Sequence, residues 1–130
     1  MSSRKNMPGR ILVVDDEASL RHLFRYTLQA EGSTVIECAS GREALERLSN
    51  DRFDLIILDQ QLPDLAGTQV LRSLRSRGLT TPVVFVTAYG NRELMEEANR
   101  LDCAAFLHKP VTPRELRQVA ASALARTSQA

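Results

Sequence analysis

The sequence predicts an α/β fold in which a five-stranded parallel sheet carries helices on both faces, and two observations lead to this prediction. Short runs that are apolar at every position alternate along the chain with stretches whose apolar residues recur at helical spacing. Runs that are apolar throughout and rich in β-branched residues are typical of strands covered on both faces, as in parallel sheets. Five such strand–helix pairs with right-handed crossovers give a (βα)5, three-layer, doubly wound sandwich.

The strands are predicted first, because their apolar runs are the clearest feature of the sequence. Residues 11–14, 55–58 and 83–86 are apolar at every position and are expected to be covered on both faces. Two weaker runs, residues 34–38 and 104–107, are expected to be strands nearer an edge of the sheet.

Each predicted strand is followed by a helix with one apolar stripe, which we expect to face the sheet. Gly32 and Gly78 are expected to end the first and third helices, and Ser40 to cap the second. Thr112 followed by Pro113 predicts the start of the fifth helix. The five stripes are Leu20, Leu23, Phe24 and Leu28; Ala44, Leu45 and Leu48; Val70, Leu71 and Leu74; Leu94, Met95, Ala98 and Leu101; and Leu116, Val119, Ala120, Ala123 and Leu124.

Composition narrows the class of protein. The 130 residues suit one domain, and 43% hydrophobic with 25% charged residues is ordinary for a globular protein. A net charge of +1 gives no reason to expect nucleic acid or an anionic membrane as a partner. Apolar runs fall far short of the roughly 20 residues that cross a bilayer. Residues 1–8 are expected to be a disordered lead-in without a secretory signal, and residues 9–127 the folded domain of a cytoplasmic protein.

Polar side chains follow four of the predicted strands at the point where each strand ends. In an open α/β sheet, ligands bind outside the carboxyl ends of the strands, so we expect these side chains to meet at one edge. Three carboxylates brought together there require a cation, and oxygen ligands favour Mg²⁺. A carboxylate nucleophile beside a metal, a hydroxyl and an ammonium suits phosphoryl transfer. The residues are Asp15, Asp16, Asp59, Thr87 and Lys109.

Each of these residues also has an ordinary structural interpretation. Either Asp16 or Glu17 is a candidate helix cap, and Asp59 is a candidate turn residue. Thr87 is a candidate cap of the fourth helix, and Lys109 a candidate solvated charge. Arg72, Arg75 and Arg77 are similarly expected to form a solvated face. These interpretations do not explain why carboxylates, a hydroxyl and an ammonium occur together at the same edge.

The motifs at these strand ends, taken together and in this order, resemble the receiver domain of two-component response regulators. The resemblance covers residues 9–125 and implies a flavodoxin-like fold with strand order 2-1-3-4-5. It implies that Asp59 accepts a phosphoryl group from a histidine kinase or a phosphotransfer protein. The matching segments are Val13-Val14-Asp15-Asp16-Glu17, Leu58-Asp59 with Leu62-Pro63 and Gly67, Val86-Thr87-Ala88, and Lys109-Pro110.

The resemblance also assigns roles at the site. Asp16, Asp59 and the backbone carbonyl of Gln61 would bind Mg²⁺ directly, with Asp15 acting largely through water, and no other cofactor is implied. Thr87 and Lys109 would contact the phosphoryl group.

A switch is implied as well. Phe106 would turn inward when Thr87 moves, and a cis peptide bond would join Lys109 to Pro110. The face made by the fourth helix, fifth strand and fifth helix would then dock a partner or a second copy. The domain would be a switch rather than an enzyme.

The sequence departs from the family pattern at one position, and two further positions bear on the lifetime of the phosphoryl group. Ala66 stands where the family usually has an aspartate, which removes a carboxylate from the start of the third helix. Gln61 and Tyr89 occupy the two positions that flank the phosphoryl group in the family and tune its lifetime. Both side chains are fairly large and uncharged, so we predict slow self-dephosphorylation.

Three other functions are alternatives to this one. A haloacid dehalogenase-type phosphatase would need a second aspartate where Gln61 stands, and a nucleotide- or flavin-binding domain would need a glycine-rich first turn. The third is a degenerate receiver that docks partners without being phosphorylated. Whether the domain stands alone or belongs to a longer regulator stays open.

Overall fold

The computed structural model describes residues 7–128, with side chains described through residue 126, and shows the predicted alternation of strands and helices. The strands are β1 (Arg10–Val14), β2 (Thr34–Cys38), β3 (Leu55–Asp59), β4 (Val83–Thr87) and β5 (Ala105–His108). The helices are α1 (Ala18–Gln29), α2 (Gly41–Asn50), α3 (Gly67–Ser76), α4 (Arg92–Arg100) and α5 (Pro113–Ser128). The strands pair in parallel in the order β2-β1-β3-β4-β5. The predicted fold class and strand order are confirmed.

The hydrophobic core lies in two layers, one on each face of the sheet. On one face, side chains of β1, β3 and β4 pack with those of α1 and α5. On the other face, the alternate side chains of the same strands pack with α2, α3 and α4. The three central strands are almost completely buried, which explains why their sequences are apolar at every position.

The predicted helix boundaries are confirmed where they were predicted from a capping residue or a terminal glycine. Ser40 Oγ accepts a hydrogen bond from the Glu43 amide at the start of α2, and Thr112 Oγ1 does the same for Glu115 at the start of α5. Gly32 and Gly78 follow α1 and α3 with φ of +103° and +80°, where a side chain would be strained.

Two residues of the predicted buried stripes are exposed. Leu23 on α1 is 42% exposed, because Leu20, Phe24 and Leu28 at four-residue spacing supply the contact with the sheet. Met95 on α4 is 38% exposed, since Ala98 is the buried residue of this short helix and the contact line is narrow. Each of these two side chains lies at the outer margin of its stripe.

The expected lead-in, residues 1–8, lies outside the described residues except for its last two. Met7 is buried, its amide donates to the Glu31 carbonyl over 2.9 Å, and its own carbonyl accepts from Ser33 Oγ. The expectation of disorder is therefore wrong for Met7, because an apolar side chain there completes the core beside α1. Among the described helices, none has the length and apolar character needed to span a bilayer.

Candidate functional site

The structure brings the predicted site residues to one edge of the sheet. Asp15 follows β1, Asp59 ends β3, Thr87 ends β4 and Lys109 follows β5. In the sheet register, Asp59 pairs with Val86, the residue that precedes Thr87. Parallel pairing in register therefore places the polar residues side by side, as expected from the strand ends.

Three carboxylates converge at this edge. Asp15, Asp16 and Asp59 each offer an oxygen, and these oxygens lie within 4.8 Å of one another. Asp15 and Asp59 are buried, whereas Asp16 is exposed and leaves the cluster open to solvent on one side. Lys109 Nζ lies 2.9 Å from Asp15 Oδ2 and 3.1 Å from Asp59 Oδ2. One ammonium against three carboxylates leaves the cluster short of positive charge, which suits a divalent ion.

Backbone amides orient the two buried carboxylates. The Glu17 amide donates to Asp15 Oδ1 over 2.9 Å, and the Gln61 amide donates to Asp59 Oδ1 over 3.3 Å. Each buried carboxylate therefore has one oxygen held by the backbone two residues on and the other held by Lys109. The turn interpretation of Asp59 thus describes one of its oxygens and does not explain why the carboxylates meet.

The remaining structural interpretations are tested by the same geometry. Asn91 caps α4 through its side-chain oxygen, so Thr87 does not fill that role. Lys109 is not a solvated charge, since its side chain is 18% exposed and is paired with two carboxylates. Arg75 is not on a solvated face either: its guanidinium donates to four backbone carbonyls between α3 and β5.

The electrostatics of the cluster follow from burial and from its charges. Burial and the neighbouring charge of Asp15 raise the pKa of Asp59 above its ordinary value, although Lys109 opposes the shift. For Lys109, burial acts to lower the pKa, but the hydrogen bonds and charges of Asp15 and Asp59 outweigh burial and the pKa is raised. The lysine therefore stays charged and partly neutralises the carboxylates.

The predicted switch residues lie next to this cluster. Thr87 is fully buried, and its Oγ1 accepts a hydrogen bond from the Tyr89 amide over 3.2 Å. Phe106 is half-buried and meets Phe85 edge to face, with ring centroids 5.6 Å apart. The Lys109–Pro110 peptide bond is cis, as the resemblance implies.

Two predicted tuning residues point away from the protein interior. Tyr89 is 72% exposed, and Gln61 is also exposed. The Tyr89 ring therefore does not cover the carboxylates in this structure. Its predicted effect on the phosphoryl lifetime depends on the ring moving over the site.

The start of α3 shows how the chain accommodates Ala66. The side-chain oxygen of Gln60 accepts from the Thr68 amide over 2.9 Å, and that of Gln69 accepts from the Ala66 amide over 2.7 Å. The Gln60 side chain thus satisfies a first-turn amide of the kind that an N-cap carboxylate at position 66 would bind, and Gln69 satisfies the backbone amide of the N-cap residue itself. The departure from the family pattern at Ala66 is thus compensated locally.

Two residues that join elements around the site, Asp64 and Arg21, are missing from the sequence prediction. Asp64 accepts hydrogen bonds from the Arg42 and Gly41 amides and so joins the loop after β3 to the start of α2. These bonds, that of Arg42 first, hold the pKa of Asp64 below its ordinary value. Arg21 reaches the backbone of Asp15 from α1. Nothing at the level of sequence spacing indicated either contact, because the partners lie on different elements.

Comparison with known proteins gives one family. The family model of the response regulator receiver domain matches residues 11–121. The chain is 38% identical over 112 residues to the alkaline phosphatase synthesis transcriptional regulatory protein PhoP of Bacillus subtilis, which covers 85% of this chain and 46% of that protein. It is 39% identical over 124 residues to the response regulator MprA of Mycolicibacterium vanbaalenii, covering 94% of this chain and 53% of MprA. The chain therefore spans about half the length of these relatives.

Solved structures agree with the sequence relatives. The signal receiver domain of a putative LuxO repressor protein from Vibrio parahaemolyticus superposes with a TM-score of 0.90 at 30% identity, covering 94% of each chain. A CheY-like response regulator receiver domain from Methanospirillum hungatei gives 0.85 at 30% identity, covering 92% of this chain and 96% of the other.

Proposed function

Since the chain belongs to the receiver domain family of two-component response regulators, we propose that Asp59 is its phosphoryl acceptor and that the reaction requires Mg²⁺. Receiver domains are phosphoacceptor switches that interact with histidine kinases or phosphotransfer proteins. The observation that carries the residue assignment is the geometry of the acid cluster. Asp59 is the buried carboxylate at the end of a central strand, within reach of two further carboxylates and one ammonium.

The residues present fit the magnesium ion that the family binds in its acidic pocket. Asp16, Asp59 and the backbone carbonyl of Gln61 would hold the ion, and Asp15 would act largely through water. All of these ligands are oxygens, and the cluster lacks positive charge by an amount that a divalent ion supplies. When bound, the ion neutralises charge on the carboxylates and on the phosphoryl oxygens.

Asp59 and Lys109 have the direct roles in the proposed phosphoryl transfer. A carboxylate oxygen of Asp59 forms a bond to phosphorus while the bond from phosphorus to the donor's histidine nitrogen breaks. The electron pair of that bond leaves with the nitrogen. Lys109, which already contacts Asp59 Oδ2, moves onto a phosphoryl oxygen and stabilises its charge. Burial of Asp59 limits the access of water to the acyl phosphate.

Phosphorylation is proposed to act on the output face through Thr87 and Phe106. The modification adds about two negative charges at Asp59. The Thr87 hydroxyl now accepts from the Tyr89 amide, and turning it toward a phosphoryl oxygen would break that bond and release the loop after β4. Phe106 packs against that loop and against Phe85, so movement of the loop would change the surroundings of its ring. This is a two-state equilibrium biased by a local charge.

Incubation with acetyl phosphate and Mg²⁺ tests this function. We expect one phosphoryl adduct by intact-mass analysis in the wild type, none without Mg²⁺, and none in Asp59→Asn. In the modified protein, amide resonances of residues 87–108 should shift by NMR. Absence of the adduct from folded wild-type protein would favour the degenerate docking module instead.

Replacement of Tyr89 by alanine is expected to shorten the lifetime of the phosphorylated form severalfold. We expect the exposed ring to move over the open side of the carboxylate cluster once Asp59 is modified, so its removal exposes the acyl phosphate to in-line water. The rate of phosphoryl loss can be followed by intact mass after acetyl phosphate is removed. Tyr26→Ala, which removes a similarly exposed ring from α1, is the matched control. An unchanged lifetime in Tyr89→Ala would contradict the prediction.

The binding partners of the domain and its location in the cell remain predictions. Self-association through the face made by α4, β5 and α5 is proposed on the family resemblance, and exposed residues of both charges lie on each of the two helices, among them Arg92, Glu93, Arg114 and Glu115. PhoP and ResD of Bacillus subtilis are named transcriptional regulators and are about twice as long as this chain. We therefore propose only that this domain itself does not contact nucleic acid. The cytoplasmic location remains an expectation.

A further inference from the structure

Arg21 on α1 connects the acid cluster to the edge strand of the sheet. Its Nη1 donates to the backbone carbonyl of Asp15 over 2.7 Å, and its Nε donates to Glu37 Oε1 on β2 over 3.0 Å. The side chains of Arg21 and Glu37 are only 15% and 14% exposed. The guanidinium is thus fixed at both ends in a mostly buried position.

The contact falls on the residue that begins the acid cluster. Asp15 donates its amide to the Cys38 carbonyl, and its two carboxylate oxygens are held by the Glu17 amide and by Lys109. Its carbonyl is the remaining polar group, and Arg21 is the side chain that holds it. This carbonyl belongs to the peptide group that joins Asp15 to Asp16, so Arg21 fixes the direction from which Asp16 enters the site.

Glu37 is in turn held by more than Arg21. Arg25 Nη1 lies 2.8 Å from Glu37 Oε2, and His22 Nε2 lies 3.6 Å from Oε1. The carboxylate is therefore a fixed anchor, and Arg21 uses two different nitrogens of one rigid fork to reach the anchor and the Asp15 carbonyl. A lysine has a single ammonium on a flexible stem and cannot reproduce both bonds in that geometry.

We propose that Arg21 is a positioning residue for the metal site: braced by Glu37, it holds the Asp15–Asp16 backbone in the arrangement that binds Mg²⁺. The proposal rests on the function proposed above for the acid cluster. Groups that orient metal ligands from outside the coordination sphere commonly contribute about 10-fold or more to metal affinity. We expect a change of that order when the bond to Asp15 is lost.

The charge of Arg21 acts in the opposite direction and has to be separated from its position. A guanidinium near the carboxylates repels Mg²⁺, so loss of charge alone would tighten binding. Arg25 provides the matched control, because it lies on the same helix and pairs with the same Glu37 but has no described contact with Asp15. Arg21→Lys keeps the charge and removes the fork.

The test measures Mg²⁺ affinity by calorimetry in the full chain, without a phosphoryl donor, alongside unfolding free energy by urea denaturation. We expect Arg21→Ala and Arg21→Lys to raise the Kd for Mg²⁺ by about 10-fold and Arg25→Ala to change it less than about twofold. In the metal-free variants at Arg21, the Glu17 amide resonance should shift, because its acceptor is Asp15 Oδ1.

Two results would overturn the role of Arg21. One is a wild-type Kd in Arg21→Lys, which would show that the two bonds of the guanidinium fork are not needed for Mg²⁺ binding. The other is an equal loss of affinity in Arg25→Ala, which would show that the bond to the Asp15 carbonyl, which Arg21 makes and Arg25 does not, is not the cause. Failure of wild-type protein to bind Mg²⁺ at all would instead contradict the proposed function of the acid cluster.

Discussion

Replacement of Lys109 by alanine is expected to slow phosphorylation of Asp59 by about 100-fold, the effect of removing one preorganised donor to a developing charge. The same change is expected to tighten Mg²⁺ binding. Lys109 Nζ lies 2.9 Å from Asp15 and 3.1 Å from Asp59, so it competes with a metal ion for both carboxylates. The two effects have opposite signs because the ammonium opposes the metal in the resting state and assists the phosphoryl group during transfer.

The measurement is the rate of adduct formation with acetyl phosphate at saturating Mg²⁺, with Mg²⁺ affinity determined separately. His108→Ala serves as the control, since its exposed ring lies beside Phe106 and Gly90 rather than the carboxylates. A rate within about twofold of wild type in Lys109→Ala would show that the lysine does not assist transfer.

Replacement of Gly67 by alanine is expected to destabilise the fold by about 3 kcal/mol, at the upper end for overpacking a close contact. A Cβ at this position would lie 2.4 Å from the Asp59 carbonyl oxygen, 2.8 Å from Phe85 Cε1 and 2.9 Å from Gln60 Cα. Two of these three atoms are backbone, which cannot move aside as the end of a flexible side chain can. Strand β3, which ends at Asp59, would have to shift.

Urea unfolding measures this effect, and Gly78→Ala separates it from the general cost of losing a glycine. Gly78 has a φ of +80° and open space around the position of a Cβ. The free energy of unfolding of Gly78→Ala should therefore fall by only about 1 kcal/mol, because only the backbone conformation becomes less favourable. Equal losses in the two variants would show that the contact with Asp59 is not the cause.

The sequence was sufficient to predict the sheet and the position of the site. Continuous apolar runs define the central strands, and parallel pairing then places whatever follows each strand at the same edge. Asp15, Asp59, Thr87 and Lys109 could therefore be grouped before their distances were known. Their grouping depends on the parallel topology of the sheet, which the alternating strand and helix patterns predict.

Contacts made across elements could not be predicted in the same way. Arg21 and Glu37 are charged residues on a helix and a strand, and sequence spacing does not show that one guanidinium spans both Glu37 and the Asp15 carbonyl. Sequence spacing also does not show that the half-buried Arg75 donates hydrogen bonds to four backbone carbonyls. Leu23 was wrongly assigned to the core because helical spacing gives the stripe but not its width.

The identity of the phosphorylated residue is the claim on which the other assignments depend. Borohydride reduces an aspartyl phosphate to homoserine, and peptide mass spectrometry then locates that residue in protein treated with acetyl phosphate and Mg²⁺. We predict homoserine at position 59, and none when Mg²⁺ is omitted. Homoserine at position 15 or 16, with Asp59 unchanged, would contradict the account.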